Sequence, residues 1–185
     1  MAEHGEVSEP MQALYAGQRD RAEELLAARG EPDVFEAAAF GRVERLRELL
    51  DADPGLADAF SPDGFTALHF AAFFGQPDSA KLLLERGSDP RAQARNPMAV
   101  EPLHSAAAAD QTEISRMLLD AGADPNARQE GGFVPLHAAA ANGTTELVRL
   151  LLDRGADPAL GTDDGRTAAE IAREAGHETL ADSLA

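Results

Sequence analysis

Three histidines recur in this 185-residue chain in the same local context, which makes them the first candidates for chemistry. His69, His104 and His137 each follow a leucine, at intervals of 35 and 33 residues. Imidazole nitrogens bind zinc at about 2.0–2.1 Å, and histidine also acts as a general base. The near-equal spacing places one histidine in each repeated unit, however, and packed helices lie about 8–10 Å apart. Rings one unit apart cannot share a metal ion, so we predict a structural role for them.

Acidic side chains are the second candidate, because the chain holds 33 Asp and Glu residues. Among so many, neighbouring carboxylates such as Asp163 and Asp164 arise by chance, and the glycine that follows this pair favours a turn. Segment 120–126 lacks the alternating acids and the final Glu of a calcium loop. There is no cysteine, Gly-x-Ser-x-Gly elbow, phosphate-binding glycine loop or His-Glu-x-x-His helix. The sequence predicts no catalysis, no metal and no cofactor.

The elements that carry the histidines repeat as well. Each Leu-His pair opens an alanine-rich stretch, followed by an apolar helical run that ends in Gly-Ser-Asp-Pro or Gly-Ala-Asp-Pro. A period of 33–35 residues is typical of stacked units rather than of one compact core. Helical periodicity and glycine breaks predict two helices in each unit, as at 102–109 with 112–121 and at 135–142 with 145–154.

These motifs resemble the ankyrin repeat. The Thr-Pro-Leu-His motif of that family appears as Thr66-Ala67-Leu68-His69, Pro102-Leu103-His104 and Pro135-Leu136-His137, and its Leu-Leu-x-x-Gly-Ala-Asp ending appears at 83–89, 118–124 and 151–157. The resemblance implies an all-α ankyrin-repeat solenoid of stacked antiparallel helix pairs with projecting β-hairpin-like loops. It also implies that the histidines hydrogen-bond to backbone and connect neighbouring loops. In this family, partners usually bind the concave face formed by loop tips and first helices.

The units predict the organisation of the chain. We expect a flexible acidic N-terminus over 1–9, degenerate N-terminal capping repeats over 10–60, central repeats over 61–160 (about 61–95, 96–128 and 129–160) and a truncated C-terminal capping repeat over 161–185. The last unit is atypical, because Glu170 stands where earlier units have histidine. Asp110 replaces the helix-break glycine of its unit, which suggests a positive φ. The loop within 92–100 has two extra residues, and Ala99 stands where other units have a turn glycine.

The formal net charge of −17 restricts the choice of partner. Nucleic acid and anionic membranes are disfavoured, because binding either needs clustered Lys and Arg. A basic protein partner fits better, although a solvated acidic surface would carry the same charge. The N-terminal residues lack the apolar core of a signal peptide, and no run is long enough for a membrane-spanning helix, so a cytoplasmic location is expected. The oligomeric state is left open, with a monomer as the expectation.

The candidate partner-binding residues are the ones that the repeat plan places on or near the concave side. They are Phe65 and Phe133 at loop tips, Phe73 and Phe74 at the end of a first helix, Met98 and Val100 on the longer loop, and Asn142 and Arg166 at corresponding positions of later units. Phe40 is in phase with Phe74. If these rings are exposed to solvent, they would form a binding hot spot. The alternative is that one or two of them pack between repeats. The sequence therefore predicts a non-catalytic protein–protein interaction module, or alternatively an inhibitor or immunity-type regulator covering a basic enzyme or toxin.

Overall fold

The computed structural model describes residues 6–185, so positions 1–5 of the predicted flexible N-terminus lie outside the described residues. The helices of the described part are α1 (Glu9–Tyr15), α2 (Arg19–Arg29), α3 (Val34–Ala39), α4 (Val43–Ala52), α5 (Ala67–Phe73), α6 (Pro77–Glu85), α7 (Pro102–Ala108), α8 (Thr112–Asp120), α9 (Pro135–Asn142), α10 (Thr145–Asp153), α11 (Ala168–Glu174) and α12 (Glu178–Leu184). Short 3-10 turns cover Pro54–Asp58 and Glu130–Gly132. No helix within residues 6–185 combines the length and apolarity that crossing a bilayer requires.

The helices form stacked antiparallel pairs, as the all-α solenoid prediction required. Glycines at positive φ separate the two helices of most pairs, as Gly75 does between α5 and α6 at φ 66°. Asp110 takes the same conformation, at φ 62°, so the expected positive φ is confirmed. A Cβ at Gly75 would lie 2.8 Å from the side chain of Gln111 in the next unit. In the unit after Asp110, the residue that corresponds to Gln111 is the shorter Thr144.

The curvature of the stack follows from the size of its side chains. The first helices of successive units (α3, α5, α7, α9 and α11) are alanine-rich and pack more closely on one another than the second helices (α4, α6, α8 and α10) do. Close approach on one side makes the stack concave there. One apolar core runs from Val34 to Leu184 between the two layers. A separate cluster at the N-terminal end joins α1 and α2 to Phe40 and Phe70.

The loops that precede the first helices form hairpin-like turns on the concave side. Ser61, Gln129 and Thr162 each donate a backbone hydrogen bond to the carbonyl four residues later, and isolated antiparallel bridges join Phe60 to Thr66 and Gly161 to Thr167. In the second central unit the closing bond runs from Ala94 to Val100, six residues later, which confirms the two extra residues. Each of the three later loops donates a backbone hydrogen bond to the loop before it, from Arg95, Glu130 and Asp163.

The three repeated histidines connect these units. The backbone N–H of the residue before each first helix donates to His Nδ1, which places the ring proton on Nε2. Nε2 then donates to a backbone carbonyl of the following loop, namely Val100, Ala127 and Leu160 for His69, His104 and His137, at 3.0, 3.0 and 2.9 Å. Burial lowers the pKa of all three, that of His69 to about 4. The predicted structural role is confirmed.

The described residues at the N-terminal end contact the rest of the fold, and the flexibility expected for 1–9 stays a prediction. Residues 6–9 belong to the segment expected to be flexible, yet Ser8 Oγ donates to the buried carboxylate of Glu36 at 2.6 Å and α1 begins at Glu9. Val7 packs against the N-terminal cluster. The carboxylate of Glu36 also pairs with Arg29 and accepts from the backbone of Asp33, so its burial is compensated.

Candidate functional site

Two rows of equivalent residues line the concave face, one on the loops and one on the first helices. The loop row holds the residue that closes each hairpin, and its members are Phe65, Val100, Phe133 and Arg166. The helix row lies eight residues further on, and its members are Phe73, Ala108, Ala141 and Glu174. The face therefore changes along the stack from two aromatic rings in the first central unit to an ion pair in the last, where Arg166 Nη1 lies 3.1 Å from Glu174.

A groove of about 460 Å³ lies on this face between α5 and α7. Helix α5 presents Phe70 and Phe73, whereas α7 presents Ser105 and Ala108 at the equivalent positions. Because the side chains on α7 are smaller than those on α5, the space between the two helices stays open as the groove. The groove is lined by Tyr15, Asp63, Phe65, His69, Phe70, Phe73, Met98, Val100, His104, Ser105, Ala108 and Gln129. Its volume lies within the range of about 300–1,000 Å³ that is usual for ligand sites.

Met98 reaches the groove because the longer loop is held in a defined shape. Asn96 Nδ2 donates to the carbonyl of Asp63, and Asn96 Oδ1 accepts from the backbone N–H of Met98 at 3.1 Å. The carbonyl of Met98 accepts from Glu130 in the next loop at 3.2 Å. Ala99 has a φ of 49°, a conformation that is strained for a residue with a Cβ. The loop is therefore fixed to both neighbours and keeps Met98 48% exposed at the groove.

The N-terminal end of the groove is formed by Tyr15 and Asp63. The hydroxyl of Tyr15 donates to Asp63 Oδ2 at 2.7 Å, although these residues are 48 positions apart. The ring of Tyr15 packs against Phe70 and Phe74, with centroids 6.3 and 5.7 Å away. Burial and the neighbouring Asp63 carboxylate raise the pKa of Tyr15 well above its usual range, so the phenol remains a hydrogen-bond donor.

The groove carries a single formal charge at neutral pH. Its two histidines, His69 and His104, are buried, and burial lowers the pKa of each, so their rings are neutral. Asp63 is the one Asp, Glu, Lys or Arg among the lining residues. Its Oδ1 accepts from Ser61 Oγ, and no Lys or Arg within residues 6–185 pairs with it at salt-bridge distance. The groove is thus apolar with an acidic rim.

Four of the predicted partner-binding residues come together in this groove. Phe65, Phe73, Met98 and Val100 all line it, and Phe73 is 43% exposed. Val100 is only 9% exposed, because its loop closes over His69, so it contributes to the floor of the groove and offers little surface to a partner. The ring of Phe65 lies against His69 and Phe70, which leaves it partly exposed. Binding by these four residues stays a prediction.

Phe74 and Phe40 have a different place. Phe74 lies behind the groove and is partly buried against Tyr15. Its ring is edge-on to that of Phe73, and the centroids of these two rings are 5.2 Å apart. Phe40 is 2% exposed and belongs to the N-terminal cluster, so the idea that it shares an exposed patch with Phe74 is wrong. The alternative that some of these rings pack between repeats holds for Phe40 and in part for Phe74.

The other three predicted residues lie outside the groove. The ring of Phe133 stacks edge-on against His137, with centroids 5.8 Å apart. Asn142 Nδ2 donates to the carbonyls of Ala107 and Ala108, which lie at the end of α7. Arg166 pairs with Asp164 and Glu174 within its own unit. The structure explains Asn142 and Arg166 by these internal contacts, and a part for them in binding stays a prediction.

Sequence reasoning missed Tyr15, Asp63 and Gln129 as members of the groove. Tyr15 belongs to the first helix pair but contacts the third, so the nearest-neighbour pattern of a solenoid gives no signal for it. Asp63 precedes Gly64, a pair typical of a tight turn. Its proximity to exposed aromatic residues could have been inferred from its place at a loop tip beside Phe65.

No cluster of three or more His, Asp or Glu residues within 6–185 is arranged to hold a metal ion. The acids of segment 120–126 serve local geometry instead: Asp120 ends α8, and Asp124 Oδ1 accepts from the backbone of Asn126. Asp163 and Asp164 lie in the turn closed by Gly165 and pair with Arg128 and Arg166.

Comparison with known proteins identifies the repeats. A family model described as "Ankyrin repeats (3 copies)" matches residues 11–94, 34–129 and 103–185, which together span nearly the whole chain. Among curated proteins, the chain is 36% identical over 62 residues to Ankyrin repeat and SAM domain-containing protein 6 of Rattus norvegicus, covering 34% of this chain and 7% of that protein.

Two further relatives are described as ubiquitin ligases. The chain is 47% identical over 60 residues to Probable E3 ubiquitin-protein ligase XBOS31 of Oryza sativa subsp. japonica, covering 32% of this chain and 14% of the relative. It is 43% identical over 54 residues to E3 ubiquitin-protein ligase hecd-1 of Caenorhabditis elegans, covering 29% and 2% respectively. The matched segment is a small part of each of these relatives, so the likeness concerns the repeats alone.

Proposed function

Because the chain belongs to the ankyrin-repeat family, whose repeats are generally protein–protein interaction modules and typically non-catalytic, we propose that it binds another protein through its concave face. The groove between α5 and α7 is the centre of the proposed interface. Phe133, Asn142 and Arg166 extend the interface along the same face. Binding needs no cofactor, and a cytoplasmic location and a monomeric state remain predictions.

One observation carries this proposal. The exposed large apolar side chains among residues 6–185 are Tyr15, Phe73 and Met98, at 43%, 43% and 48% exposure, and all three line the groove. Large exposed apolar patches rimmed by polar residues mark interaction sites in soluble proteins. Anchoring aromatic side chains within a well-shaped pocket are also the usual hot spots of interfaces.

The test compares proteins captured by the wild-type chain with those captured by variants. Phe73→Ser combined with Met98→Ser removes the exposed anchors, and Arg149→Ala on the outer helix α10 is the control. We expect a captured protein to bind the wild type and the control with equal affinity, and the double variant at least about tenfold more weakly. A partner that binds all three equally well would show that the interface lies elsewhere.

The net charge of −17 supports a second, more specific function, that of an inhibitor covering a basic enzyme or toxin. Electrostatic steering would then make association fast at low salt and slow it steeply as NaCl is added. The same charge is the reason for proposing no nucleic-acid or membrane partner. Association rates measured between 20 mM and 500 mM NaCl would separate this function from a neutral interaction, whose rate changes little.

A further inference from the structure

We propose that the groove recognises a polypeptide segment that inserts one bulky apolar side chain between Phe73 and Met98 and places a Lys or Arg against Asp63. This inference rests on the proposed function and specifies the chemistry of the partner. It predicts that a neutral or acidic segment with the same apolar anchor binds more weakly.

The apolar half of the proposal follows from the walls of the groove. Phe70 and Phe73 line it from α5 and Ala108 lines it from α7, while Phe65 and the exposed Met98 line it from the loops. The volume of about 460 Å³ accommodates one large side chain together with adjoining backbone. Burying such a side chain removes a large apolar surface from water, which makes it the natural anchor of the interface.

The cationic half follows from Asp63. Its two carboxylate oxygens each accept one hydrogen bond, from Tyr15 and Ser61, and each retains capacity for another. The side chain is partly exposed at the rim. A guanidinium or ammonium group there would form a charge-assisted hydrogen bond to the carboxylate.

The surrounding charges favour the same partner. Gln129 lines the groove, and the next residue, the exposed Glu130, bonds through its backbone N–H to the carbonyl of Met98, so a second acidic residue belongs to the adjoining loop. Two cations of the adjoining loops are already engaged, since Arg95 lies 3.8 Å above the ring of Phe60 and Arg128 pairs with Asp163. With a formal charge of −17, the chain offers little to compensate an acidic segment placed here.

The groove is also organised before binding. Asp63 is held by Tyr15 and Ser61, and Met98 by the hydrogen bonds of its loop to Asp63 and Glu130. Groups that are already fixed lose little conformational entropy when a partner binds. A short segment with one anchor and one cation can therefore bind measurably by itself, which makes a peptide experiment feasible.

The experiment selects binders from a phage-displayed library of random twelve-residue peptides, using the full chain as bait. We expect the enriched peptides to combine a large apolar residue with a Lys or Arg at a fixed separation. Synthetic versions would then be titrated against the wild type, Asp63→Asn, Ala108→Phe and Glu113→Gln. Asp63→Asn keeps the hydrogen-bond acceptor for Tyr15, whereas Glu113→Gln removes an equal charge from an exposed position on α8.

We expect Asp63→Asn to weaken binding about tenfold and Glu113→Gln to leave it unchanged. Ala108→Phe should abolish binding by filling the groove. Replacing the peptide's Arg by citrulline, its neutral isostere, should weaken binding to the wild type about tenfold and have no further effect on Asp63→Asn, because both changes remove the same contact.

The outcomes separate this inference from the proposed function. Peptides that lose affinity for Ala108→Phe but bind Asp63→Asn normally would overturn the cation and leave the concave-face interface standing. Failure to enrich any peptide that depends on Ala108 would overturn the peptide-binding groove, while the capture experiment still decides whether the concave face binds a folded protein. Concentration-dependent dimerisation that Phe73→Ser abolishes would identify a second copy of the chain as the occupant instead.

Discussion

The residue at the histidine position of each unit depends on what lies beside it. His69, His104 and His137 each have a following loop whose carbonyl accepts from Nε2. The last unit has no such loop among the described residues, and Glu170 is found there instead. Its carboxylate accepts from both the backbone N–H and the hydroxyl of Thr167, at 2.8 and 3.0 Å. The same position therefore connects two units where a neighbour exists and only caps its own helix where none does.

Glu101 lowers the stability of the folded chain, and it occupies the position that Thr66 and Thr167 hold in other units. Its Oε2 atom is buried without a hydrogen-bond partner, and burial, with repulsion from Asp124 and Asp89, raises its pKa to about 7 against the attraction of Arg91. The folded state thus holds this proton more tightly than the unfolded state, so its contribution to stability declines as pH rises from about 4.5 to 7.

We expect Glu101→Thr and Glu101→Gln to raise the stability of the chain at pH 8 and to change it little at pH 4.5. Urea unfolding followed at both pH values would measure this, with Glu113→Gln as the control for lost charge on an exposed helix. Equal stabilisation by both Glu101 variants at the two pH values would contradict a role for the charge.

His69 gives the opposite pH dependence. Burial lowers its pKa to about 4, so between about pH 4 and the unfolded value of 6.5 the unfolded state binds the proton and the folded state does not. Stability is therefore lost as the pH falls through this window, by about 3 kcal/mol at its lower end. In the Glu101→Gln variant, which lacks the opposing group, the urea midpoint should fall steadily from pH 7 to 4.5. The ring signals of His69 in an NMR titration should stay those of a neutral imidazole at pH 5.5, and titration near 6.5 would refute this account.

Asp110 is the residue-scale site where stability should be easiest to gain. It holds a φ of 62° in the helix break, where Gly41, Gly75, Gly143 and Gly176 serve other units. Asp110→Gly should stabilise the fold by about 0.5–1 kcal/mol, because glycine adopts this conformation without strain. The reverse change, Gly75→Asp, should destabilise by more, since its Cβ would also meet Gln111 at 2.8 Å. Thermal unfolding of both variants tests the pair, and a loss of stability in Asp110→Gly would mean that its side chain supports the turn.

At the scale of elements, the alanine-rich first helices decide how closely the units approach. Ala106 is fully buried between neighbouring first helices, whereas Ala108, two residues later on the same helix, is exposed in the groove. Alanine at buried positions allows close packing, and alanine at the exposed position leaves the concavity. One residue type therefore serves both the curvature of the stack and the shape of the candidate site.

These two alanines predict contrasting effects of one substitution. Ala106→Leu should destabilise by about 1–3 kcal/mol or more, because the first helices on either side leave no room for three further carbons. Ala108→Leu should leave stability within about 0.5 kcal/mol of the wild type, because leucine is a good helix former and the site is open. Denaturant midpoints of the two variants measure the difference. Equal effects would mean that the first helices are less tightly stacked than the structure indicates.

The helices could be predicted from the sequence more closely than the groove could. The Leu-His pairs, glycine breaks and Gly-Ala-Asp-Pro endings are local signals, so the predicted bounds of the central helices lie within about two residues of those observed. The groove depends on a difference between units, Phe73 against Ala108, and on Tyr15 reaching past its neighbour to Asp63. Phe40 was misjudged because periodicity assigns a face but does not reveal a second cluster covering it.

At the scale of the whole molecule, charge opposes the stack. Within the described residues the ion pairs are mostly exposed, like Arg154 with Asp120, and such pairs contribute about 0–1 kcal/mol each. The formal charge of −17 is uncompensated, and an excess of like charge destabilises a folded chain by self-repulsion. Repulsion acts over the whole surface, whereas each ion pair acts locally, so repulsion should dominate the response to salt.

We therefore expect NaCl to stabilise the protein. The thermal midpoint should rise between 10 mM and about 300 mM NaCl, where the screening length falls below about 10 Å, and change little beyond it. Choline chloride should have the same effect as NaCl at equal concentration, because screening does not depend on the cation, while uncharged sucrose at the same osmolarity controls for exclusion from the surface. A midpoint that falls over this range would show that the ion pairs outweigh the net charge. A rise with NaCl alone would instead indicate a specific sodium site.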